Sequence, residues 1–393
     1  MKVLIINSVC GRYSTGRICA DIADRLSGEG HTVKIAYGRD TVPRGLEKYA
    51  VRIGSDLSVR KHAVLARLTD GSGLYSKKET AAFLRCADGF DPDLLWLHNI
   101  HGYYVNYEML FGWIKSRPDM KVKWTLHDCW AFTGHCAYFS DAGCEKWKAG
   151  CSGCPNRKEY PASVIDGSAR NYEKKKAAFT GVSGMELTVP SEWLASLVGQ
   201  SFLSGYPVEV VSNTVDGTVF RPTESDFRSK HGLEDKKIVL GVASVWDRRK
   251  GLAEFLELSE TLGPEWKVVL VGLSEKQIKA LPEGVLGLPR TSSREELAGI
   301  YTASDVFVNP GREETFGMTT LEALRCGTPA VVYEGTACEE VARANGGVAV
   351  PQKPGALPTG LKLPPKPGAM PTGLKLPTKP ALKPGLKLPT KPA

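Results

Sequence analysis

The chain has 393 residues, 42% hydrophobic and 24% charged, a balance typical of soluble globular proteins with room for two domains. Its net charge of +8 comes from the last 41 residues, which hold eight lysines and no acid and leave 43 basic and 43 acidic residues in the remainder. A neutral body does not indicate nucleic-acid binding. No apolar run reaches the roughly 18 residues of a membrane span, and residues 1–7 resemble a strand more than a signal peptide, so we expect a cytoplasmic protein.

The first half alternates strands with helices. Residues 2–7 predict a strand, and a helix follows with Ile18, Ile22 and Leu26 on one face. Further strands are predicted at residues 32–36, 94–98 and 122–127. Between them, Asp91-Pro92-Asp93 superficially resembles a metal-binding Asp-x-Asp, but Asp-Pro before a strand favours an ordinary turn.

The second half repeats the alternation more clearly. Strands are predicted at residues 237–243, 267–271, 305–309 and 330–333, with Ser293 as the cap of an intervening helix. The pattern predicts an α/β fold with two Rossmann-like domains, parallel sheets and a ligand cleft between their carboxyl ends. We place the junction near residues 213–222. This gives an N-terminal acceptor-side domain (1–215) with a cysteine-rich insertion (129–160), a C-terminal nucleotide-sugar domain (216–352) and a tail (353–393).

Three loops carry candidate chemistry. The first, residues 7–17 (NSVCGRYSTGR), brings Gly16 and Arg17 to the start of a helix, where free amides attract a phosphate, although a plain structural turn fits equally well. The second, residues 310–329 (PGREETFGMTTLEALRCGTP), separates Glu314 from Glu322 by eight residues, about two helical turns, so both carboxylates are able to face one cleft. Its alternative is a glutamate that only balances a helix dipole.

The third loop, residues 245–251 (VWDRRKG), directly follows a predicted strand. Cations at the carboxyl end of a strand suit the neutralisation of phosphate, and Arg249 and Lys250 are the candidates. A solvated run of charges is the alternative reading of the same residues.

Taken together, these loops resemble the retaining glycosyltransferases of family 4, which have the two-domain GT-B fold. The resemblance covers essentially residues 1–352 and is most specific in the Glu-x7-Glu segment from Glu314 to Pro329. Residues 212–216 (SNTVD) look like the interdomain segment of that family. Residues 14–17 (STGR), 97–102 (LHNIHG) and 127–130 (HDCW) look like the bacterial exopolysaccharide subgroup, including colanic-acid-type enzymes.

The resemblance implies a role for each matching residue. Glu322 would accept hydrogen bonds from the donor ribose, Glu314 would face the donor hexose, and amides near Phe316 and Gly317 would hold sugar and phosphate. Lys250 would neutralise the leaving diphosphate, and His127 would contact the transferred sugar. Cations and helix amides then stabilise the leaving group, so no metal is needed for the chemistry. The family pairs this lysine with an arginine six residues earlier. That position is Ser244 here, and Arg248 or Arg249 is the candidate substitute.

The cysteine-rich insertion predicts a structural zinc site. Cys136, Cys144, Cys151 and Cys154 fall within 19 residues and include a Cys-x2-Cys pair, and the segment otherwise resembles a long loop in need of a cross-link. Four reduced thiols, labile disulfides and an Fe–S cluster remain as alternatives, and His135 is a candidate to replace one thiol.

Two basic segments remain. Residues 174–176 (KKK) predict either a membrane-facing patch or a solvated helix face. Residues 353–393 repeat a proline- and lysine-rich unit, with 11 of the 25 prolines of the chain. Such a tail is expected to be disordered or polyproline-like and to contribute nothing to the donor site.

The sequence therefore predicts a cytoplasmic retaining hexosyltransferase of surface polysaccharide synthesis. It would transfer sugar from a nucleotide diphosphate sugar to a glycan or a lipid-linked saccharide, with peripheral contact at the inner face of the plasma membrane left open. The alternatives are a GT-B nucleotide-sugar epimerase and a non-catalytic sugar-nucleotide-binding protein. The only hint of the last is Ser244 in place of the expected arginine.

Overall fold

A computed structural model describes residues 1–353. The chain divides into two compact units, Met1–Val210 and the residues from Val211 onward. The predicted tail lies outside the described residues, apart from Lys353. In the part of the chain that is described, no helix combines the length and apolar character needed to cross a bilayer.

The N-terminal unit is a seven-stranded parallel sheet in the order β3-β2-β1-β4-β5-β6-β7. Its strands and helices run in chain order as follows: β1 (Lys2–Ile6), α1 (Tyr13–Gly28), β2 (Thr32–Tyr37), β3 (Ala50–Arg52), α2 (Asp56–Thr69), α3 (Lys77–Phe90), β4 (Leu94–Leu97), α4 (Tyr107–Lys115), β5 (Lys121–Thr125), α5 (Ser168–Phe179), β6 (Met185–Val189), α6 (Glu192–Gly199) and β7 (Val208–Val210).

The C-terminal unit is a six-stranded parallel sheet in the order β10-β9-β8-β11-β12-β13. Its elements are α7 (Phe227–Lys230), β8 (Lys237–Val242), α8 (Leu252–Thr261), β9 (Trp266–Val271), α9 (Glu275–Ile278), β10 (Val285–Leu288), α10 (Arg294–Ala303), β11 (Val306–Asn309), α11 (Met318–Arg325), β12 (Ala330–Tyr333), α12 (Ala337–Ala344) and β13 (Val348–Val350).

Both sheets have buried apolar cores on their two faces, as parallel sheets covered by helices require. The strand predictions are confirmed to within two residues at each end, and Ser293 caps α10 by accepting a hydrogen bond from the Glu296 amide at 3.1 Å. Asp93 has a structural role, because its Oδ2 accepts a hydrogen bond from the Lys2 amide at 2.7 Å at the amino end of the sheet.

The predicted face of α1 is only partly right. Leu26 is buried, but Ile18 and Ile22 are half-buried, and Cys19 and Ala23 are the fully buried positions. Small side chains let the helix backbone lie close to the sheet, and a pattern search that weights large apolar residues misses them. Gly16 belongs to the same close approach, because a Cβ there would lie 2.9 Å from Val9 Cγ2.

Strand order reverses once in each unit, between β1 and β4 and between β8 and β11. In open parallel sheets, ligands bind beside the carboxyl ends of the strands at such a reversal. The loops that follow these four strands are therefore the places to look for function.

Candidate active site

Two loops meet at the reversal point of the C-terminal sheet. One follows β8 and ends at Gly251, and the other follows β11 and leads into α11. Gly251 has a φ of +76°, and a Cβ at this position would lie 2.4 Å from Pro310 Cγ. Glycine is therefore required here both by the left-handed backbone and by the close approach of the second loop.

The contact between the two loops orients Lys250 and Glu314. Lys250 Nζ forms an ion pair with Glu314 Oε1, and both side chains are mostly buried. The Arg312 amide donates to the Arg249 carbonyl, and Arg249 Nη1 donates to the Glu313 carbonyl, both at 3.2 Å. The cation and the carboxylate predicted from separate motifs thus lie side by side.

The start of α11 depends on a second glycine. Gly317 has a φ of +92°, and a Cβ there would lie 2.4 Å from Cys338 Sγ, so no other residue fits this position without displacement. Phe316 is buried beside it. The backbone amides at this helix start, next to the Lys250–Glu314 pair, form the kind of environment that stabilises an oxygen anion.

Glu322 lies on α11 and is held by a residue that the motifs did not single out. Tyr301 OH donates to Glu322 Oε2 at 3.0 Å, and burial together with the nearby Glu322 charge raises the pKa of this tyrosine well above its usual value. Tyr301 therefore stays protonated and fixes the carboxylate. The sequence gives little indication of this role, because a tyrosine within the apolar pattern of α10 does not reveal which polar group it contacts.

Asn309, at the carboxyl end of β11, organises the second loop. Its Nδ2 donates to Thr320 Oγ1 at 3.1 Å and to Cys338 Sγ at 3.3 Å, while its Oδ1 accepts from the Gly311 amide at 3.1 Å. In the sequence, an asparagine at the end of a hydrophobic strand is the feature that indicates this role. Ser244, in contrast, is exposed and lies two residues after the end of β8.

In the N-terminal unit, histidines gather where β4 and β5 end. His98 and His127 share a hydrogen bond of 2.9 Å between Nδ1 and Nε2. Removal from water and the neighbouring His101 lower the pKa of His127 to about 4, so its ring is neutral near pH 7. His101 Nε2 lies 2.9 Å from Asp128 Oδ2, whose other oxygen accepts the Trp130 amide at 2.9 Å. The sequence predicted His127 but not the pairs that hold it.

The buried histidines of the N-terminal unit predict that its free energy of unfolding decreases in acid. Burial lowers the pKa of His62 to about 4, and the Gly73 amide donates to its Nε2 at 3.1 Å, a bond that protonation would break. The pKa of His98 is also well below its usual value because of burial. Between pH 6.5 and about 4 the unfolded chain therefore binds more protons than the folded one. Stability is complete above pH 6.5 and is lost as the pH falls, with a slope of about 1.4 kcal/mol per pH unit for each histidine.

Urea unfolding of the N-terminal unit, followed by tryptophan fluorescence at several pH values, measures this slope. His62→Gln should make it shallower, whereas His231→Gln, at an exposed histidine of the other unit, should leave it unchanged. A free energy of unfolding that stayed constant from pH 6.5 to 4.5 would contradict the prediction.

The loop with Gly16 and Arg17 also carries Arg12 and Tyr13, which line a cleft of about 450 Å³ at the carboxyl end of the N-terminal sheet. Three arginines, Arg12, Arg39 and Arg60, line the cleft together with two acids, Asp40 and Asp56. Arg12 is fixed by two hydrogen bonds of 2.6 Å, from Nε to the Thr41 carbonyl and from Nη2 to Thr41 Oγ1.

The structure gives no support to the predicted zinc site of the four insertion cysteines. Within residues 1–353, no group of three or more His, Cys, Asp or Glu side chains is placed to hold a metal ion. Cys136 donates to Cys154 and holds the pKa of that thiol at about 7, while Cys151 Sγ accepts the Gly134 amide at 3.1 Å. All four are free thiols.

Aromatic packing stabilises the insertion in place of a cross-link. Phe139 stacks on Trp147 with ring centroids 4.7 Å apart, and Phe132 lies 5.4 Å from the same indole. His135 Nδ1 lies 2.5 Å from the buried Asp70 Oδ1 and ties the insertion to the end of α2. These contacts pack the insertion around a small aromatic core.

The run of three lysines is not a basic patch. Lys174 pairs with Glu108 at 2.7 Å, and only Lys176 is exposed. Lys175 is 1% exposed and donates from Nζ to the carbonyls of Trp130 and Thr133 at 2.6 and 2.9 Å. The prediction of a membrane-facing patch at this run is wrong, because its central lysine points into the core.

Comparison with known proteins finds similarity to glycosyltransferases. Residues 223–362 match the model of the family described as "Glycosyl transferases group 1". The chain is 26% identical over 271 residues to the putative colanic acid biosynthesis glycosyl transferase WcaC of Escherichia coli. That alignment covers 67% of this chain and 65% of the relative, slightly less than two thirds of its length.

Two solved structures share the fold. Sucrose-phosphate synthase from Thermosynechococcus elongatus has a TM-score of 0.66 at 17% identity and covers 91% of this chain and 87% of its own. Anabaena HepE, solved with UDP and glucose, has a TM-score of 0.60 at 16% identity, with coverage of 91% and 88%. The predicted fold, two Rossmann-like domains of the GT-B type, is confirmed, and so is the resemblance to these glycosyltransferases.

Proposed function

We propose that the chain is a retaining hexosyltransferase that uses a nucleotide diphosphate sugar as its donor. The observation that carries this proposal is the pair formed by Lys250 and Glu314 at the reversal point of the C-terminal sheet, within the group 1 domain. A cation, a carboxylate and helix amides gathered at this edge match the needs of a departing nucleoside diphosphate.

Each residue has a proposed task. Lys250, assisted by Arg249, neutralises the leaving diphosphate together with amides near Phe316 and Gly317, and Glu314 holds the lysine in place and faces the hexose. Glu322, fixed by Tyr301, accepts hydrogen bonds from the ribose. The neutral ring of His127 contacts the transferred sugar. These groups supply the charge stabilisation without a metal ion.

The acceptor is a glycan or a lipid-linked saccharide of surface polysaccharide synthesis. The three arginines of the cleft in the N-terminal unit outnumber its two acids, Asp40 and Asp56, and support an acceptor that carries a phosphate or another anionic group, because arginine binds such groups in a bidentate manner. A cytoplasmic enzyme with such an acceptor would work at the inner face of the membrane.

Donor binding and turnover test the proposal separately. Thermal shift with a series of UDP- and GDP-hexoses should raise the melting temperature of the full chain for one of them, since a ligand at 100 times its Kd stabilises by about 2.7 kcal/mol. Nucleotide release should then depend on a saccharide acceptor, and NMR of the product should show a retained anomeric configuration. Epimerised donor without transfer, or donor binding without turnover, would contradict the proposal.

A further inference from the structure

The solvent-facing side of α2 is unusually apolar. Leu57 is 77% exposed, Val64 59% and Leu68 53%, and their spacing places them along one side of the helix. The face that packs on the unit is modest by comparison, with only His62 and Ala66 buried. An amphipathic helix that keeps its larger apolar residues in water has a partner elsewhere.

A neighbouring loop extends this surface. The Val164 amide donates to the Arg67 carbonyl at 2.7 Å, and Ser163 Oγ donates to the same oxygen at 3.2 Å. Val164 and Ile165 are 57% and 48% exposed. Five of the eight large hydrophobic side chains exposed among residues 1–353 thus lie in this one patch, which is too concentrated for scattered surface residues.

The charges on the same side of α2 are basic. Arg60, Lys61 and Arg67 are exposed between the apolar residues, and the single acid of the helix, Asp56, lies at its first position and pairs with Arg52. Cations interleaved with apolar side chains on one helix face suit the surface of an anionic bilayer, where the apolar groups enter the acyl boundary and the cations stay at the phosphates.

We infer that α2 and the Val164–Ile165 loop form a docking face for an anionic lipid bilayer. Arg60 belongs both to this face and to the lining of the 450 Å³ cleft of the N-terminal unit, so docking brings that cleft to the depth of the lipid phosphates. The inference goes beyond the proposed function, and vesicle binding tests it independently of any sugar transfer.

Co-sedimentation of the full chain with phosphatidylcholine vesicles, with and without phosphatidylglycerol, is the experiment. We expect binding that requires phosphatidylglycerol and is largely lost in the triple variant Leu57→Ser, Val64→Ser, Leu68→Ser. The double variant Lys61→Gln, Arg67→Gln should weaken binding about 30-fold at low salt, because each lost cation leaves about one fifth of the affinity. Lys176→Gln, an exposed lysine of α5, is the matched control and should bind like the wild type.

Two features keep the result interpretable. The lysine-rich tail is present in every protein compared, so a difference between variants is due to the docking face, and circular dichroism and melting temperature verify that each variant is folded. A folded triple variant that binds as well as the wild type would overturn the inference. So would a wild type that ignores the vesicles, or one that dimerises in solution while the triple variant is monomeric, because the patch would then cover a second copy.

Discussion

Lys250→Ala and Glu314→Ala are each expected to lower kcat by about 10²–10³-fold, the usual cost of removing one preorganised electrostatic contact from an active site. The first variant removes the cation of Lys250. The second keeps Lys250 but removes the carboxylate that positions it. Because the contact acts on charge that develops as the diphosphate leaves, KM should change much less than kcat.

Steady-state kinetics with the identified donor and acceptor measures the effect. Arg343→Ala removes a comparable ion pair, to Glu339 on α12, and is the matched control that should retain wild-type turnover. Glu322→Ala should act differently, raising the Kd for the donor by about 10–100-fold through the loss of hydrogen bonds to a charged group. If folded Lys250→Ala and Glu314→Ala both kept wild-type rates, the assigned donor site would be wrong.

Much of this site is readable from local sequence, and the reason is topological. Residues 245–251 and 310–317 each follow a hydrophobic strand, and the parallel α/β pattern brings the carboxyl ends of neighbouring strands to one edge. Strand order determines that β8 and β11 are adjacent, and that order is not written in either motif. The ion pair between Lys250 and Glu314 therefore emerges only when the sheet is assembled.

Other features cannot be predicted from the sequence because they depend on contacts between residues that are far apart in the chain. Tyr301 supports Glu322 from another helix, and the role of Gly251 follows from the approach of Pro310. The cysteine spacing in the insertion resembles a metal site, yet no group of three or more His, Cys, Asp or Glu side chains within residues 1–353 is placed to hold a metal ion. Spacing identifies residues that are able to form a site, whereas the fold decides which of them meet.

The three lysines of α5 also could not be told apart from the sequence. One of them, Lys175, is the site of the second substitution for which we expect a large effect. The run consists of three consecutive lysines, residues 174–176, but only Lys175 is buried. Its Nζ lies 3.6 Å from the centre of the Trp130 ring. Burial lowers its pKa to about 7. Between pH 7 and 10.5 the unfolded chain binds more protons at this site, so the contribution of Lys175 to stability grows as the pH rises from 7.

Lys175→Met is expected to destabilise the N-terminal unit by about 2–4 kcal/mol at pH 8. It leaves two buried carbonyls, those of Trp130 and Thr133, without their donor, at about 1–3 kcal/mol each, partly offset by the removal of a buried amine. Lys176→Met, one residue along the same helix, should stay within about 0.5 kcal/mol of the wild type. Urea unfolding at pH 7, 8 and 9 measures both, and the difference between Lys175→Met and the wild type should widen with pH.

The same substitution should also affect His127, which we propose contacts the transferred sugar. The Trp130 amide donates to Asp128, which holds His101 and follows His127 directly, so a turn released from Lys175 loosens these side chains. We expect lower kcat in Lys175→Met under conditions where it is still folded, and unchanged kcat in Lys176→Met. Equal stability of the two variants would contradict the anchoring role of Lys175, and full activity of a destabilised Lys175→Met would restrict that role to the fold.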